Sequence, residues 1–284
     1  MNPSTIIGID LGGTNVRAAL VDEDGIERLE RRAVRADGTE EEVLQQLYEV
    51  VEVLAPGPVA GIGIGVPGLV DTSAGIVYDL INIPSWREVP LKALFEARFG
   101  VPVHINNDAN CFALAERHFG AGQAHDTFIG LIVGTGMAGG IIIDGELYEG
   151  RNCGAGEFGM IRYREHYLEY YCSGQFFEHF HGTTGREAAR RAKAGEAGTR
   201  KMWQAFGRHL GYAVEAILYA YDPELIVLGG SVGRQYSLFR SALWESLQET
   251  PYQHSVANLR IEVSALKEAG VLGAAALVRQ ANTG

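Results

Sequence analysis

Asp10-Leu11-Gly12-Gly13-Thr14 ends an apolar run with a carboxylate, turns on two glycines and follows them with a hydroxyl. A residue without Cβ lets backbone N–H groups approach phosphate oxygens. In that reading Asp10 orients a hydrated Mg2+, and Thr14 with the turn amides meets phosphate. A plain hairpin with aspartate at its turn is the structural alternative. Gly134-Thr135-Gly136 is a second turn of the same kind. Asn106-Asn107-Asp108-Ala109-Asn110 joins a strand pattern to a helix pattern. Open α/β sheets bind ligands at the C-terminal ends of their strands. Neutral amides there can bond sugar hydroxyls, and Asp108 can accept a hydroxyl proton. A helix N-terminus favours the charged carboxylate. The structural alternative is that Asp108 is simply the helix N-cap.

Other phosphate chemistries do not fit. Gly134–Gly139 and Gly63–Gly68 both match G-x-G-x-x-G. The dinucleotide fingerprint needs a helix directly after the loop. The first is followed by the strand pattern Ile141–Ile143 and the second contains Pro67. No lysine follows a glycine, so no P-loop can be written, and there is no protein-kinase H-R-D. A bound nucleotide would rest on backbone amides, hydroxyls and a metal ion.

The elements that position these residues read as short apolar strands and amphipathic helices. Strands are expected at Ile6–Asp10, Val16–Val21, Val59–Val66, Val101–Ile105, Phe128–Val133, Ile141–Asp144, Leu225–Leu228 and Leu259–Ser264. Helices are expected at Glu40–Leu54, Leu91–Phe99, Ala109–Phe119, Met202–Tyr221, Ser237–Leu247 and Val271–Gln280, with Pro223 ending the longest. Hairpins followed by alternating strands and helices indicate an α/β protein with mixed sheets. Ile7–Asp22 shifted by 122 positions falls on Ile129–Asp144 without a gap. Gly8 meets Gly130, Gly12 meets Gly134 and Asp22 meets Asp144. Two lobes with one such hairpin each are expected, meeting closely because no Ser/Pro-rich linker separates them.

Composition narrows the function classes. The 284 residues carry a formal charge of −11, and 20 of the 24 basic residues are arginine. That balance argues against nucleic acid and against an anionic membrane surface. The uncharged, glycine-rich stretch Thr127–Ile143 is shorter than the ~20 residues of a spanning helix and reads as two strands. Cys111, Cys153 and Cys172 are too few and too far apart for a disulfide framework. With no secretory pattern at the N-terminus, a cytoplasmic location is expected. Thirty-seven glycines are roughly twice the usual ~7%, and many are expected in phosphate-wrapping turns.

Nearly end to end, the chain resembles the ROK family (repressors, open reading frames and sugar kinases) of the actin-like ATPase superfamily. Asp10–Thr14 and Val133–Gly145 look like its two phosphate motifs, and Gly61–Asp71 like its second conserved segment. Asn82-Ile-Pro-Ser-Trp86 is similar to its sugar-contacting segment, Asn106–Glu116 to its catalytic motif and Leu228–Val232 to its adenosine motif. The resemblance implies a two-lobed actin-like ATPase (ribonuclease H-like) α/β fold with an interlobe active-site cleft. The smaller lobe would be 1–107, joined by the C-terminal helix 271–284, and the larger 108–270. It implies ATP-dependent phosphorylation of the primary hydroxyl of a hexose, most like glucokinase, in a cytoplasmic homodimer. Kinases for fructose or an N-acetylhexosamine, and a non-catalytic sugar sensor, are the alternatives. The family's repressors carry an N-terminal helix-turn-helix. Here strand Ile6–Asp10 begins almost at once, so DNA binding is not expected.

By the same resemblance Asp108 is the general base. Asn82, Asn107, Glu157 and Glu169 bind other sugar hydroxyls, and Gly65 approaches by its backbone. Asp10, Gly12, Gly13, Thr14, Gly134, Thr135 and Gly136 hold the ATP phosphates and Mg2+, and Gly229, Gly230 and Ser231 line the adenosine side. Two departures stand out. Gly156-Glu-Phe-Gly-Met160 has methionine where the family has a histidine that touches sugar and zinc. The three-cysteine zinc segment is shortened to Arg164–Glu169, so no structural zinc is expected. Ala138 also stands where glycine is usual.

Overall fold

A computed structural model describes residues 5–23, 25–55 and 57–283. The chain begins β1 (Ile6–Leu11), β2 (Asn15–Asp22), β3 (Gly25–Ala33), α1 (Glu40–Leu54), β4 (Ile62–Val66) and the short strands β5 (Leu69–Asp71), β6 (Ile76–Tyr78) and β7 (Glu88–Val89). Next come α2 (Leu91–Phe99), β8 (Val103–Asn107) and α3 (Asp108–Phe119). The middle holds β9 (Phe128–Val133), β10 (Met137–Ile143), β11 (Glu146–Leu147), β12 (Arg162–Tyr163), β13 (His166–Tyr167), α4 (Leu168–Cys172), α5 (Gly174–His181), α6 (Gly185–Lys193) and α7 (Thr199–Tyr221). Last are β14 (Leu225–Gly229), α8 (Gly230–Gly233), α9 (Tyr236–Leu247), α10 (Gln253–Asn258), β15 (Arg260–Val263) and α11 (Ala269–Thr283).

The chain divides into two units. Unit 1 is Met1–Gln123, Leu147–Ala155 and Leu266–Gly284; unit 2 is Ala124–Glu146 and Gly156–Ala265. This differs from the expected division at 107/108, because α3 belongs with unit 1. A Cβ on Gly273 of α11 would lie 1.6 Å from the Cys111 carbonyl oxygen of α3. The two helices therefore cross at backbone contact, which binds α3 to the C-terminal helix.

In unit 1 the sheet order is β3-β2-β1-β4-β8, with β1–β2 antiparallel and β1–β4 and β4–β8 parallel. Unit 2 repeats the plan as β11-β10-β9-β14-β15, with β9–β10 antiparallel and β9–β14 and β14–β15 parallel. The internal repeat in the sequence thus marks two sheets of one topology. Their hairpin registers differ. Leu11 faces Val16 in the first, whereas Val133 faces Met137 in the second, so the second turn is one residue tighter. Within Thr127–Ile143 lie the two strands β9 and β10. Among the described residues no helix is long and apolar enough to cross a membrane.

The unit 1 sheet is covered on both faces. On one side Val43, Leu47, Val50 and Leu54 of α1 bury against Ile7, Ile9 and Leu11, joined by Trp86 and Phe95. Thr39 and Glu42 start α1 with a reciprocal capping box, at 3.2 and 2.8 Å. On the other side Val271, Ala275 and Val278 of α11 pack on Ile6, Ala19 and Val21. The helix lies directly on the strands: a Cβ on Gly63 would sit 1.7 Å from the Ala274 carbonyl oxygen. This glycine answers to helix packing and not to phosphate.

In unit 2, Trp203, Phe206, Leu210, Val214 and Ile217 form the buried stripe of α7. That helix stops at Asp222, which takes a left-handed conformation (φ 44°) just before Pro223.

Candidate functional site

Unit 1 gathers one set of polar residues at the C-terminal ends of β1, β4 and β8. The Gly12 amide closes the first turn on the Asn15 carbonyl at 2.9 Å, and Thr14 is exposed. A Cβ on Gly13 would lie 2.5 Å from Cβ of Asn82. The turn and Asn82 are thus in direct contact, which only glycine at 13 permits. Asn82 itself is exposed on a pair of tight turns, Ile83 N–H to Leu80 O at 3.1 Å and Trp86 N–H to Ile83 O at 2.9 Å. Buried Ile83 and Trp86 anchor that segment to the core. Trp86 is therefore a packing residue here.

Asp10 lies against the first turn of α11, where a Cβ on Gly270 would be 2.5 Å from its Oδ2. Burial pushes its carboxyl above the usual carboxylate range; Arg17, at 3.6 Å, pulls it down, and Glu268 pushes it up. The opposing cation does not outweigh the loss of solvent. A hydrated divalent cation would supply the missing positive charge, so the donor fits Mg2+.

At the β8–α3 junction Asn107 is the N-cap: its Oδ1 accepts the Ala109 N–H at 2.8 Å, and its Nδ2 donates to the Gly68 carbonyl at 3.0 Å. Asp108 is the first helical residue and is half-buried. Capping is therefore not the task of Asp108. Gly65 lies under α3, where a Cβ would meet Cys111 Sγ at 3.0 Å. A methyl group there would crowd α3, so packing favours glycine at 65.

Unit 2 gathers the second set. Gly134 turns between β9 and β10, with its N–H on the Gly136 carbonyl at 2.9 Å. Its own carbonyl accepts the Gly174 N–H at 2.7 Å, which sets the first residue of α5 beside the turn. Gly230 (φ 80°) backs onto the same turn, where a Cβ would lie 2.3 Å from Val133 O. Gly134–Gly136, Gly229–Ser231 and the start of α5 are thus one cluster of backbone amides, and Thr135 and Ser231 are exposed on it. The α5 contribution was not foreseen, although Ser173 before Gly174 is an N-cap signal; its hydroxyl accepts the Gln175 N–H at 3.2 Å.

Glu169 of α4 reaches the same turn. It accepts the Met137 N–H at 3.0 Å and Gln175 Nε2 at 2.8 Å. Glu157 is held nearby by Gly156, whose carbonyl takes the Gly139 N–H at 2.8 Å. Desolvation raises the Glu157 carboxyl above its ordinary range, and the like charge of Glu169 adds to this. The two carboxylates assigned to sugar thus stand as electrostatic neighbours in unit 2.

Met160 is 48% exposed at the end of the Phe158–Met160 turn. Where zinc ligands would follow, rings pack instead. Tyr163 meets Tyr171 edge-on at 5.2 Å, His166 stacks on Tyr170 at 4.0 Å, and Tyr170 stacks on His179 at 4.5 Å. Among the described residues no group of three His, Cys, Asp or Glu side chains could hold a metal ion. Burial drives the Cys172 thiol far up. Cys153 lies in unit 1, with its thiol on Asn106 Oδ1 at 3.2 Å. These residues do not fit zinc.

The sequence profile of the ROK family matches residues 6–281. A glucokinase of Thermotoga maritima is 30% identical, with 97% of each chain covered. A xylose repressor of Caldicellulosiruptor bescii is 30% identical, covering 96% of this chain and 78% of the repressor. The crystal structure of a ROK family glucokinase from Streptomyces griseus in complex with glucose and AMPPNP matches at a TM-score of 0.82 and 30% identity, covering 97% of this chain and 99% of that one. The two α/β units are those of the actin-like ATPase fold. The chain belongs to the ROK family.

Proposed function

We propose that the protein is a sugar kinase that transfers the γ-phosphoryl group of ATP to the primary hydroxyl of a hexose, with glucose the first candidate. The observation that carries this reading is the β8–α3 junction. Asn107 takes the cap, and Asp108 follows it in the unit that also holds Asp10–Thr14 and Asn82. In the reaction Asp108 accepts the proton of the attacking hydroxyl. Asn82, Asn107, Glu157 and Glu169 orient the remaining hydroxyls, with Gly65 at their back. Within the turns Gly12–Thr14 and Gly134–Gly136, amides other than those of Gly12 and Gly134, which close the turns, neutralise phosphate charge, and Gly229–Ser231 borders the adenosine. Mg2+, oriented through water by Asp10, would supply the positive charge that the transfer requires. The kinase relative and the glucose- and AMPPNP-bound neighbour support the substrate pair. A cytoplasmic homodimer is the assembly we take from family resemblance.

The test is ADP release on adding glucose, fructose, mannose, N-acetylglucosamine or N-acetylmannosamine. Glucose is expected to give the highest kcat/KM. Asp108→Ala is expected to lower turnover at least ~100-fold with AMPPNP binding retained. Release with an N-acetylhexosamine alone would move the substrate assignment. Sugar binding without ADP release in the wild type would favour a sensor, a reading that exposed Met160 keeps in view.

A further inference from the structure

We propose that Glu149 is a positioning residue for the catalytic turn, acting through Asn106; this rests on the reading of Asp108 as the base. The chain leaves unit 2 after Glu146, folds Leu147–Ala155 into unit 1, and returns at Gly156. The excursion is closed on itself by the Ala155 N–H, which donates to the Glu149 carbonyl at 3.1 Å. One carboxylate oxygen of Glu149 accepts from Asn106 Nδ2, and the other accepts the Thr72 hydroxyl at 3.0 Å. Asn106 is only 1% exposed. Its Oδ1 accepts the Asn107 N–H at 2.8 Å, Asn110 Nδ2 at 2.8 Å and the Cys153 thiol at 3.2 Å.

A buried primary amide can face either way round. Here donors converge on one end and an acceptor-only carboxylate holds the other, so the orientation is fixed. That orientation directs the oxygen at the Asn107 N–H, one residue before Asp108. Asn107 is itself tied to Ala109 and Gly68. Thr72, Glu149, Asn106 and Asn107 therefore form a hydrogen-bonded chain that ends one residue before the base. Cys153 joins it from a left-handed backbone conformation (φ 54°), which a side-chain-bearing residue adopts at a cost. The buried Cys111 thiol, pushed up mainly by desolvation, also feels the charges of Asp108, Asp10, Cys153 and Glu149. Glu149 is thus within electrostatic range of the same core as Asp108. A geometric shift of about 1 Å at a reacting group costs on the order of 100-fold in rate, so partial slackening should cost about tenfold.

The experiment compares Glu149→Ala, Glu149→Gln, Asn106→Asp and the double variant N106D/E149Q in the full chain. Its readouts are kcat, KM for ATP and hexose, and hydrogen–deuterium exchange over residues 103–112. Glu149→Ala is expected to lower kcat about tenfold, leave KM for ATP within twofold, and speed exchange at Asn107–Ala109. Asn106→Asp sets two carboxylates face to face and should lose more. In N106D/E149Q the glutamine amide donates to the new carboxylate, and most of the loss should be recovered. Glu149→Gln keeps an acceptor and reports even if the alanine variant folds poorly. Unchanged kcat and exchange in the Glu149 variants, or no recovery in the double variant, overturns the proposal. Asp108→Ala in the same assay separates the two readings. If it keeps turnover, the base assignment fails, while the exchange data still decide whether Glu149 holds the turn.

Discussion

Asn107 caps helix α3 through its own side chain, with Oδ1 2.8 Å from the Ala109 N–H, and so relieves Asp108 of that role. A strand that ends in a cap followed by a carboxylate places the acid at the helix mouth in a fixed conformation. Replacing Asn107 by Ala removes the cap and should destabilise the protein by about 1 kcal/mol. Asn107→Asp keeps the cap acceptor but loses the donor to Gly68, so it should hold stability better than binding. Thermal unfolding beside KM for the hexose distinguishes the two losses.

The contact between α11 and the sheet predicts a contrast among glycines. Gly63→Ala forces a methyl to 1.7 Å from a backbone oxygen, with no flexible side chain to yield. It should cost about 3 kcal/mol or more. Gly65→Ala meets Cys111 Sγ at 3.0 Å and nothing else nearer than 3.5 Å, so it should cost about 1 kcal/mol and be relieved by Cys111→Ala. Denaturant midpoints of the singles and the double measure this. A large KM effect from Gly65→Ala at unchanged stability would mark it as a substrate contact instead.

Glu157 gives a pH prediction. Desolvation first, then the Glu169 charge, raises its carboxyl in the folded state. Folding therefore favours the protonated acid, and stability falls as pH rises from the unfolded value through the raised folded one. Glu157→Gln should stabilise the protein at neutral pH, with the gain vanishing in acid. Function runs the other way. On the proposal that Glu157 accepts from a sugar hydroxyl, that acceptor is lost as pH falls, so KM for the hexose should climb on the acid limb and flatten in Glu157→Gln. Parallel melting and KM profiles between pH 4 and 8 check both signs.

His209 gives the opposite slope. Burial, with Arg164 and Arg208, lowers its pKa to about 4, and its Nδ1 lies 3.1 Å from the Tyr163 hydroxyl. The unfolded chain takes up the proton first, so the contribution is whole above about pH 6.5 and is lost as pH falls toward about 4. The acid loss should reach about 2–3 kcal/mol and be reduced in His209→Gln. With the family's zinc segment shortened to Arg164–Glu169, dialysis against a chelator is expected to leave the melting temperature at pH 7.5 unchanged.

What could be read along the chain was what local rules decide. Glu40–Leu54 and Leu91–Phe99 were legible to the residue: an apolar stripe follows the Thr39 cap in the first, and Pro90 and the left-handed Gly100 bracket the second. Both glycine hairpins and the Asn106–Asn110 junction were legible for the same reason. Strand β3 was not: Gly25–Ala33 carries Arg28, Arg31 and Arg32 and lies at the sheet edge, where charge is tolerated and the apolar signal vanishes. The helices α4, α5 and α6 were missed too; in α6 only Gly185, Ala188 and Ala189 are buried, so no large apolar side chain marks it. Glu149 was invisible because its meaning depends on Asn106, 43 positions away. Arg17 beside Asp10 was missed because only strand pairing sets them opposite each other.

The seating of α11 also bears on how the protein is made. Strands β1 and β4 are synthesised early, yet the helix that covers them, and against which Asp10 rests, is the last described element. Domains generally fold in the order in which they are synthesised. Here unit 1 must wait with one apolar face open while unit 2, complete by Ala265, has every segment it needs. During synthesis the order of maturation is therefore reversed: the unit whose first strands emerge earlier finishes second, and its Asp10–Thr14 turn gains the backing of α11 only once that helix has emerged.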